Sequence, residues 1–481
     1  MVECKFLING ELKDSNSGKI VEVFNPCNGE LVGTVPAGTK EDVREVLEAA
    51  QEAQVEWAKL TYAARANYVR EINELLEKHK DELALILTAE HGKPLKQAYG
   101  EIQAAKNLLH YAVESAMRVE GEHITSENVN EEAWIQRVPY GVVVGIAAWN
   151  FPLALCARKF GNALVCGNSM ILKPPSETPL TVMKFAEIIA KESSLPKGVL
   201  NFVTGSGRVV GDALVRNEIV QLVTLTGSTG AGIEVFKAAA ENVVVPHLEL
   251  GGKAPFIVMN DADVEKAARC AVIAKYDNCG QICTCNERMY VHADVYEEFK
   301  EKFIKYSQEI VVGDPMDPAT TMGPKVSKSE VEKLYEIKQE AIEQGAKVLL
   351  DMTPETLPTE VGNWFYPTVF EVYDNKNVMM QTEIFGPMVG MMKVDSLEQA
   401  IAYANDCEYG LSAYLFSDSN KTIMTTMRDL QFGEVYVNRQ NGELVNGFHN
   451  GYKKSGLGGE DGKHGLEGYL QKKMMYVNYN Y

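Results

Sequence analysis

The chain has 481 residues, 46% hydrophobic and 23% charged, with a net charge of −19 and a pI of about 5.0. That length exceeds one ordinary core, so two or three domains are expected, and the acidic balance repels phosphate backbones and argues against nucleic acid as a partner. No apolar run approaches membrane-spanning length, residues 1–5 lack a signal-peptide pattern, and the nine cysteines are expected as reduced thiols in the cytoplasm.

Residues 6–35 read as short strands with turns at Asn9-Gly10 and Asn28-Gly29. Residues 40–120 read as helical, in three amphipathic runs beginning at Lys40, Ala64 and Lys96. Residues 121–140 are polar and strand-like, a hairpin suited to pairing outside its own domain. From Gly141 the rhythm becomes strand, turn, helix. Strands are predicted at 142–146 and 170–172, then a helix with Thr178 as N-cap and Pro179 in its first turn. Further strands at 199–203 and 222–225 each run into a glycine-rich turn. Apolar strands alternating with helices predict an α/β fold with a parallel sheet covered on both faces. Residues 252–440 repeat the alternation, with long helices expected at 294–310 and 328–345. Last strands are read at 434–438 and 476–479.

The stretch Asn278-Cys279-Gly280-Gln281-Ile282-Cys283-Thr284-Cys285 holds three cysteines. A thiolate is the strongest protein nucleophile near neutral pH, but a buried cysteine is as readily a small apolar filler. No second Cys or His pair stands at a zinc-like spacing and the eight histidines are scattered, so no metal is expected. The turns at 205–211 and 227–230 follow strands. Glycines there let a backbone approach a pyrophosphate beside the N–H donors of a helix start. Neither turn fits GxGxxG, and each alone is equally a plain turn; together, in one alternating domain, they favour a dinucleotide. Asn150 ends a strand, where its amide can face a developing oxyanion or simply make a turn. Glu249 sits between leucines before Gly251-Gly252. Apolar surroundings suit it to general-base work, and a surface carboxylate at a strand end is the alternative.

The motifs WNFP at 149–152, KPPSETP at 173–179, TGSTGAG at 226–232, LELGG at 248–252, GQIC at 280–283 and EIFGP at 383–387 stand in that order. With them the sequence resembles the NAD(P)-dependent aldehyde dehydrogenase superfamily over essentially its whole length. The interval of 34 residues from Glu249 to Cys283 is similar to the family's. The resemblance implies that Cys283 attacks an aldehyde, that Asn150 and the Cys283 N–H hold the oxyanion, and that Glu249 activates water against the thioester. Presence of this glutamate implies hydrolysis rather than acyl transfer to coenzyme A. Lys173 and Glu383 would hold the cofactor's ribose hydroxyls. Phe385, Trp149, Gly227 and Ser228 would lie along its nicotinamide and pyrophosphate. The family commonly has Glu three residues after the lysine; here Ser176 stands there, which with Arg208 makes NADP plausible beside NAD.

Residues 432–439, 447–449 and 453–466 resemble bacterial lactaldehyde and glycolaldehyde dehydrogenases most. That subgroup implies a substrate pocket of Arg158, Thr284, Glu443 and His449, with a short polar aldehyde as substrate; His449 as a solvated loop histidine is the alternative. An arginine also admits succinate semialdehyde, and a family member without turnover is the remaining alternative. The fold expected is a Rossmann-like cofactor domain over 1–120 and 139–251, a catalytic α/β domain over 252–455, and a small β oligomerisation element over 121–138 and 470–481. Strand pairing between subunits would give a homodimer or homotetramer. Cys279 and Cys285 are read as packing or as reversible redox partners of Cys283.

Overall fold

A computed structural model describes residues 1–354 and 361–480. Its largest sheet has eight strands. Five of them form a parallel core in the order Leu200–Phe202, Ser169–Lys173, Val142–Ile146, Val220–Thr226, Val245–Glu249. Val142, Val143 and Val144 are fully buried, as a strand covered on both faces requires. The strands Phe6–Ile8 and Glu11–Lys13 add an antiparallel edge, and Gly456–Leu457 pairs antiparallel to Leu248 and Glu249 at the other.

The strand order reverses between Val142–Ile146 and Val220–Thr226. From the first, the chain builds outward in one direction through Ser169–Lys173, then crosses back to build the other side. Loops leaving two such strands diverge and open a crevice at their carboxyl ends. One of these loops carries Trp149 and Asn150, the other Gly227 and Ser228.

A second sheet of seven strands has Ala254–Val258 near its middle, flanked by Asn286–His292 and Ser412–Phe416. Alternate residues of Ala254–Val258 enter two different cores: Phe256 and Val258 one, Ile257 the other. Gly251 and Gly252 join the carboxyl end of the first sheet to the amino end of the second. Cys283, just before Asn286–His292, therefore arrives where the two sheets face each other.

A third sheet is antiparallel: Glu122–Thr125, Glu131–Pro139 and Leu470–Asn478, the last two paired from Leu470 with Pro139 to Asn478 with Glu131. The closing strand thus begins six residues before the expected 476–479; Tyr481 of the expected 470–481 element lies outside the described residues. Among the described residues no helix is long and apolar enough to cross a membrane.

Two local expectations are corrected. Residues 40–120 hold four helices, not three, because the run from Ala64 breaks at His79 and Lys80–His91 forms its own helix. The helix expected to be capped by Thr178 begins at Leu180 with Pro179 as N-cap. Its first N–H groups donate instead to the buried Glu90 carboxylate, Leu180 at 2.6 Å and Thr181 at 2.8 Å. A carboxylate at a helix start satisfies two donors and favours the dipole, which outcompetes a hydroxyl. Thr178 donates to the Trp149 carbonyl at 3.0 Å.

Candidate active site

The helix Val264–Tyr276 ends in an unusual reversal. Asn278, Cys279 and Gly280 all have left-handed backbones, with φ of 50°, 60° and 69°. Glycine adopts this region freely and asparagine at small cost, so Cys279 above all must be held there by its surroundings. Asn278 Nδ2 donates to the Asn150 carbonyl at 3.1 Å, Gln281 Nε2 donates to the Asn278 carbonyl at 3.0 Å, and Val326 N donates to Gln281 Oε1 at 3.1 Å. The approach to neighbouring loops is close: a Cβ on Gly252 would lie 2.3 Å from the Cys283 carbonyl oxygen.

The reversal delivers Cys283 to the wall of a cleft of about 640 Å³ between the sheets. Cys279 and Cys285 are buried, and burial pushes their thiols up to about 12 and about 11. Neither lines the cleft. They stand as protonated packing residues. Burial also raises the Cys283 thiol, with His449 opposing that rise.

Asn150 is buried at the cleft wall, and its Nδ2 donates to the Gln281 carbonyl at 3.1 Å. Of the two amide hydrogens, that bond uses one. Glu249 is buried at the end of its strand and does not line the cleft. Its carboxylate meets His449 Nε2 at 3.1 Å, and His449 does line the cleft. Burial raises Glu249 above the usual carboxylate range, with His449 opposing. His449 is not a solvated loop residue: it is 2% exposed, and its Nδ1 lies 3.0 Å from Glu434 Oε1. Burial disfavours its charge, yet Glu249, Cys283 and Glu434 outweigh this and hold its pKa well above the usual value.

The opposite wall gathers Trp149, Lys173, Ser176, Glu177, Gly207, Gly227, Ser228, Glu383 and Phe385. Lys173 is buried with its Nζ 3.1 Å from the Pro174 carbonyl, and burial lowers its pKa. Glu383 Oε1 accepts from Gly252 N at 2.8 Å, and burial pushes the carboxyl up to about 7. Ser228 caps the helix Thr229–Ala240 through Ala231 N, so a helix start opens toward the cleft. Phe385 packs edge-on against Trp149, centroids 5.3 Å apart. Arg208 does not join this wall and is exposed.

Arg158 and Thr284 line the third side with Glu443. Arg158, on the helix Pro152–Val165, is held by Asp461, Nη2 to Oδ2 2.9 Å. Burial pushes Asp461 up to about 6, so it remains ionised at pH 7. Thr284 Oγ1 donates to Glu443 Oε1 at 3.2 Å. Burial opposes the Glu443 charge, but His449 and Arg158 hold its carboxyl below the usual range. Sequence reasoning missed Glu434 and Asp461. Both lay inside stretches already singled out, 432–439 and 453–466, but nothing in their spacing marks their partners, His449 fifteen residues after Glu434 and Arg158 hundreds of residues before Asp461.

A family model for the aldehyde dehydrogenase family matches residues 12–475. The chain belongs to the aldehyde dehydrogenase family. This aldehyde dehydrogenase is 44% identical to 3,6-anhydro-alpha-L-galactose dehydrogenase of Vibrio sp. (strain EJY3), with all of both chains covered. It is 36% identical to lactaldehyde dehydrogenase of Escherichia coli (strain K12), over 99% of each chain. A solved structure of 3,6-anhydro-L-galactose dehydrogenase in complex with NAP (NADP) superposes with a TM-score of 0.97 at 45% identity, covering 99% of this chain and 100% of that one. The lactaldehyde enzymes are thus relatives, and the anhydrogalactose enzyme is more similar still. The chain is an oxidoreductase that acts on an aldehyde.

Proposed function

We propose that this aldehyde dehydrogenase oxidises a small, neutral hydroxyaldehyde to its carboxylic acid, with NADP or NAD as the oxidant. The observation that carries the substrate class is the 2.9 Å pair between Arg158 and Asp461. An unpaired arginine would recruit a carboxylate and favour a semialdehyde of a dicarboxylic acid. Here its charge is met by Asp461, and Glu443 adds a further carboxylate on the same side. A second anion is repelled there, whereas hydroxyl groups find donors and acceptors. The two relatives named above carry the names of hydroxylated aldehydes, which supports the same reading.

Cys283 adds through Sγ to the carbonyl carbon. The oxygen that becomes negative is met by the free Asn150 amide hydrogen and the Cys283 backbone N–H. When bound, the nicotinamide cofactor accepts the hydride of this adduct. Glu249 takes a proton from the water that attacks the resulting thioester, and the C–S bond breaks to return the thiolate.

The residues on the opposite wall fit a dinucleotide. Lys173 is a buried ammonium with one backbone acceptor, Glu383 has carboxylate acceptor capacity beyond Gly252 N, and Gly227 and Ser228 open a helix start to a pyrophosphate. Ser176 lines the cleft and brings no charge against a 2′-phosphate, whereas Arg208 is exposed beside Gly207 and does not line it. Trp149 and Phe385 form the apolar part of that wall.

The test is a kcat/KM panel of lactaldehyde, glycolaldehyde, a hydroxylated sugar aldehyde and succinate semialdehyde, each with NAD and NADP. The neutral hydroxyaldehydes should lead, and NADP should support turnover. Succinate semialdehyde ahead of all of them overturns the substrate class.

A further inference from the structure

Glu287 is a charge in an unusual place. It is 1% exposed, in the strand Asn286–His292 at the centre of the second sheet. Ala254 pairs with Asn286 and Pro255 with Arg288, so Glu287 is the residue that the parallel register skips. Such a bulge re-aims a side chain. A carboxylate buried this deeply is costly unless its acceptor sites are filled, and here four contacts fill them. Oε2 accepts from Lys253 Nζ at 3.0 Å and from Ile384 N at 2.7 Å. Oε1 accepts from Phe385 N at 2.9 Å and lies 3.6 Å from Lys275 Nζ. Burial opposes the charge, but the fully buried Lys253 and Lys275 outweigh it and hold the carboxyl below the usual range.

Two of those four contacts belong to one loop, and that loop carries Glu383 and Phe385 to the cleft wall, whereas Glu287 itself does not line the cleft. The loop needs an outside hold. Phe385 has φ 54°, in the left-handed region that is costly for a bulky side chain. Its N–H and that of Ile384 both end on Glu287, and its carbonyl accepts from the buried Lys325 Nζ. Gly252 N donates to Glu383 at 2.8 Å, and the adjoining Lys253 side chain reaches Glu287, so one dipeptide grips the loop at two points. A Cβ on Gly280 would lie 2.4 Å from the Gly386 carbonyl oxygen, so the loop also abuts the reversal that delivers Cys283.

We propose that Glu287 is a positioning residue for the cofactor: through the N–H groups of Ile384 and Phe385, its carboxylate sets the stance of the Glu383 side chain and the Phe385 ring on the cleft wall. This rests on the reading of that wall as the dinucleotide site. Glu287 touches no reacting atom, and no bond forms or breaks at it. Its charge also faces Glu383. The other titratable groups facing Glu383 are Lys253, Tyr409, and Lys333 on the helix Lys328–Glu343, where Glu330 lines the cleft as well. Burial raises the Glu383 carboxyl and Glu287 adds to the rise, while Lys333 and Lys253 oppose it.

The experiment is equilibrium binding of NADP to the full-length enzyme, followed by protein fluorescence across the pH range around neutrality, with thermal unfolding measured alongside. Glu287→Gln offers one carbonyl and one NH2 where two acceptor oxygens stood, so a backbone N–H loses its partner. It should bind NADP about tenfold more weakly on the alkaline side, the scale of one charge-assisted hydrogen bond. In wild type, affinity should fall as pH drops through the Glu383 value of about 7. In Glu287→Gln the midpoint of that fall should move down, because the facing negative charge is gone; titration of the cofactor's own phosphate cancels in the comparison. Glu287→Asp keeps the charge but not the reach, and should weaken binding with the midpoint in place. Wild-type affinity and midpoint in Glu287→Gln, with only the unfolding temperature lowered, make Glu287 a structural residue and overturn the proposal. If Glu287→Gln fails to fold, Glu287→Asp decides, weakened binding in favour and wild-type binding against. Glu383→Gln separates the two readings. If it binds NADP as wild type does, the cofactor wall is misassigned and the proposal falls with it; if it binds weakly while the Glu287 variants do not, the proposal alone falls.

Discussion

Lys93 Nζ donates to the Asn150 carbonyl oxygen at 2.8 Å while it pairs with Glu101 at 2.6 Å, and both side chains of the pair are fully buried. The other Glu101 oxygen accepts from Leu153 N at 2.9 Å and Ala154 N at 3.3 Å, in the first turn of the helix Pro152–Val165. One ion pair thus fixes the loop bearing Asn150 and the start of the helix bearing Arg158. Removing one partner of a buried pair strands the other charge and costs about 3–5 kcal/mol. Lys93→Met should lower stability on that scale in denaturant unfolding. It should also lower kcat more than it raises KM, because the Asn150 amide loses its placement. A variant with unchanged unfolding midpoint and unchanged kcat would remove the pair from this role.

Glu249 acts as a base only when ionised, and burial raises its pKa. Its ionised fraction, and with it thioester hydrolysis, must fall as pH drops through that raised value. The acid limb of kcat should therefore lie above the ordinary carboxylate range. Glu249→Gln should give a burst of reduced cofactor without steady turnover, read by stopped-flow absorbance at the nicotinamide band. Full steady turnover in Glu249→Gln would assign the water step elsewhere.

Cofactor affinity should depend on pH through Glu383. Its carboxyl is pushed up to about 7, so it is largely protonated at pH 6 and largely ionised at pH 8. A charged acceptor makes hydrogen bonds roughly twice as strong as a neutral one, so affinity should improve roughly tenfold over that interval. Fluorescence titration at the two pH values measures it, and Glu383→Gln should abolish the difference. Equal pH dependence in wild type and variant would sink the assignment.

Asp461 sits at φ 64° and ψ 164°, a backbone region open to glycine and costly for other residues, so asparagine meets the same cost that aspartate already bears. Asp461→Asn keeps the local shape but frees the Arg158 charge. The ratio of kcat/KM for succinate semialdehyde over lactaldehyde should rise by about tenfold, the scale of one charge-assisted hydrogen bond. An unchanged ratio would mean that the Arg158–Asp461 pair does not set substrate charge.

What could be read from the sequence divides along physical lines. The strands 142–146 and 222–225 and their loops were legible because buried parallel strands carry continuous apolar runs and end in marked turns. The placing of Asn150 and Cys283 on one cleft wall follows from that pattern and from short motifs. Three-dimensional pairings were not legible. Glu90 at the start of a helix ninety residues later, Lys93 under Asn150, and Asp461 on Arg158 have no local signature, since each is an isolated charge in an ordinary helix or loop. The Thr178 cap failed for this reason: local capping rules rank hydroxyls well, but a carboxylate delivered by the tertiary fold ranks better. Arg208 failed differently, since its position in a glycine turn gave its neighbourhood but not its direction.

The antiparallel return of Gly456–Leu457 onto Leu248 and Glu249 brings a segment from about two hundred residues further along the chain against the strand that carries Glu249. Glu434, Glu443, His449 and Asp461 all precede the final strand Leu470–Asn478 by only a few dozen residues. The five parallel strands of the first sheet, with Asn150 and Glu249 at their ends, all precede this group of charges in the chain. A chain ending before Glu434 would hold the five parallel strands and Cys283 but neither Asp461 to compensate Arg158 nor His449 to line the cleft. The cleft therefore receives its histidine and its acidic lining from a part of the chain made well after Asn150, Glu249 and Cys283.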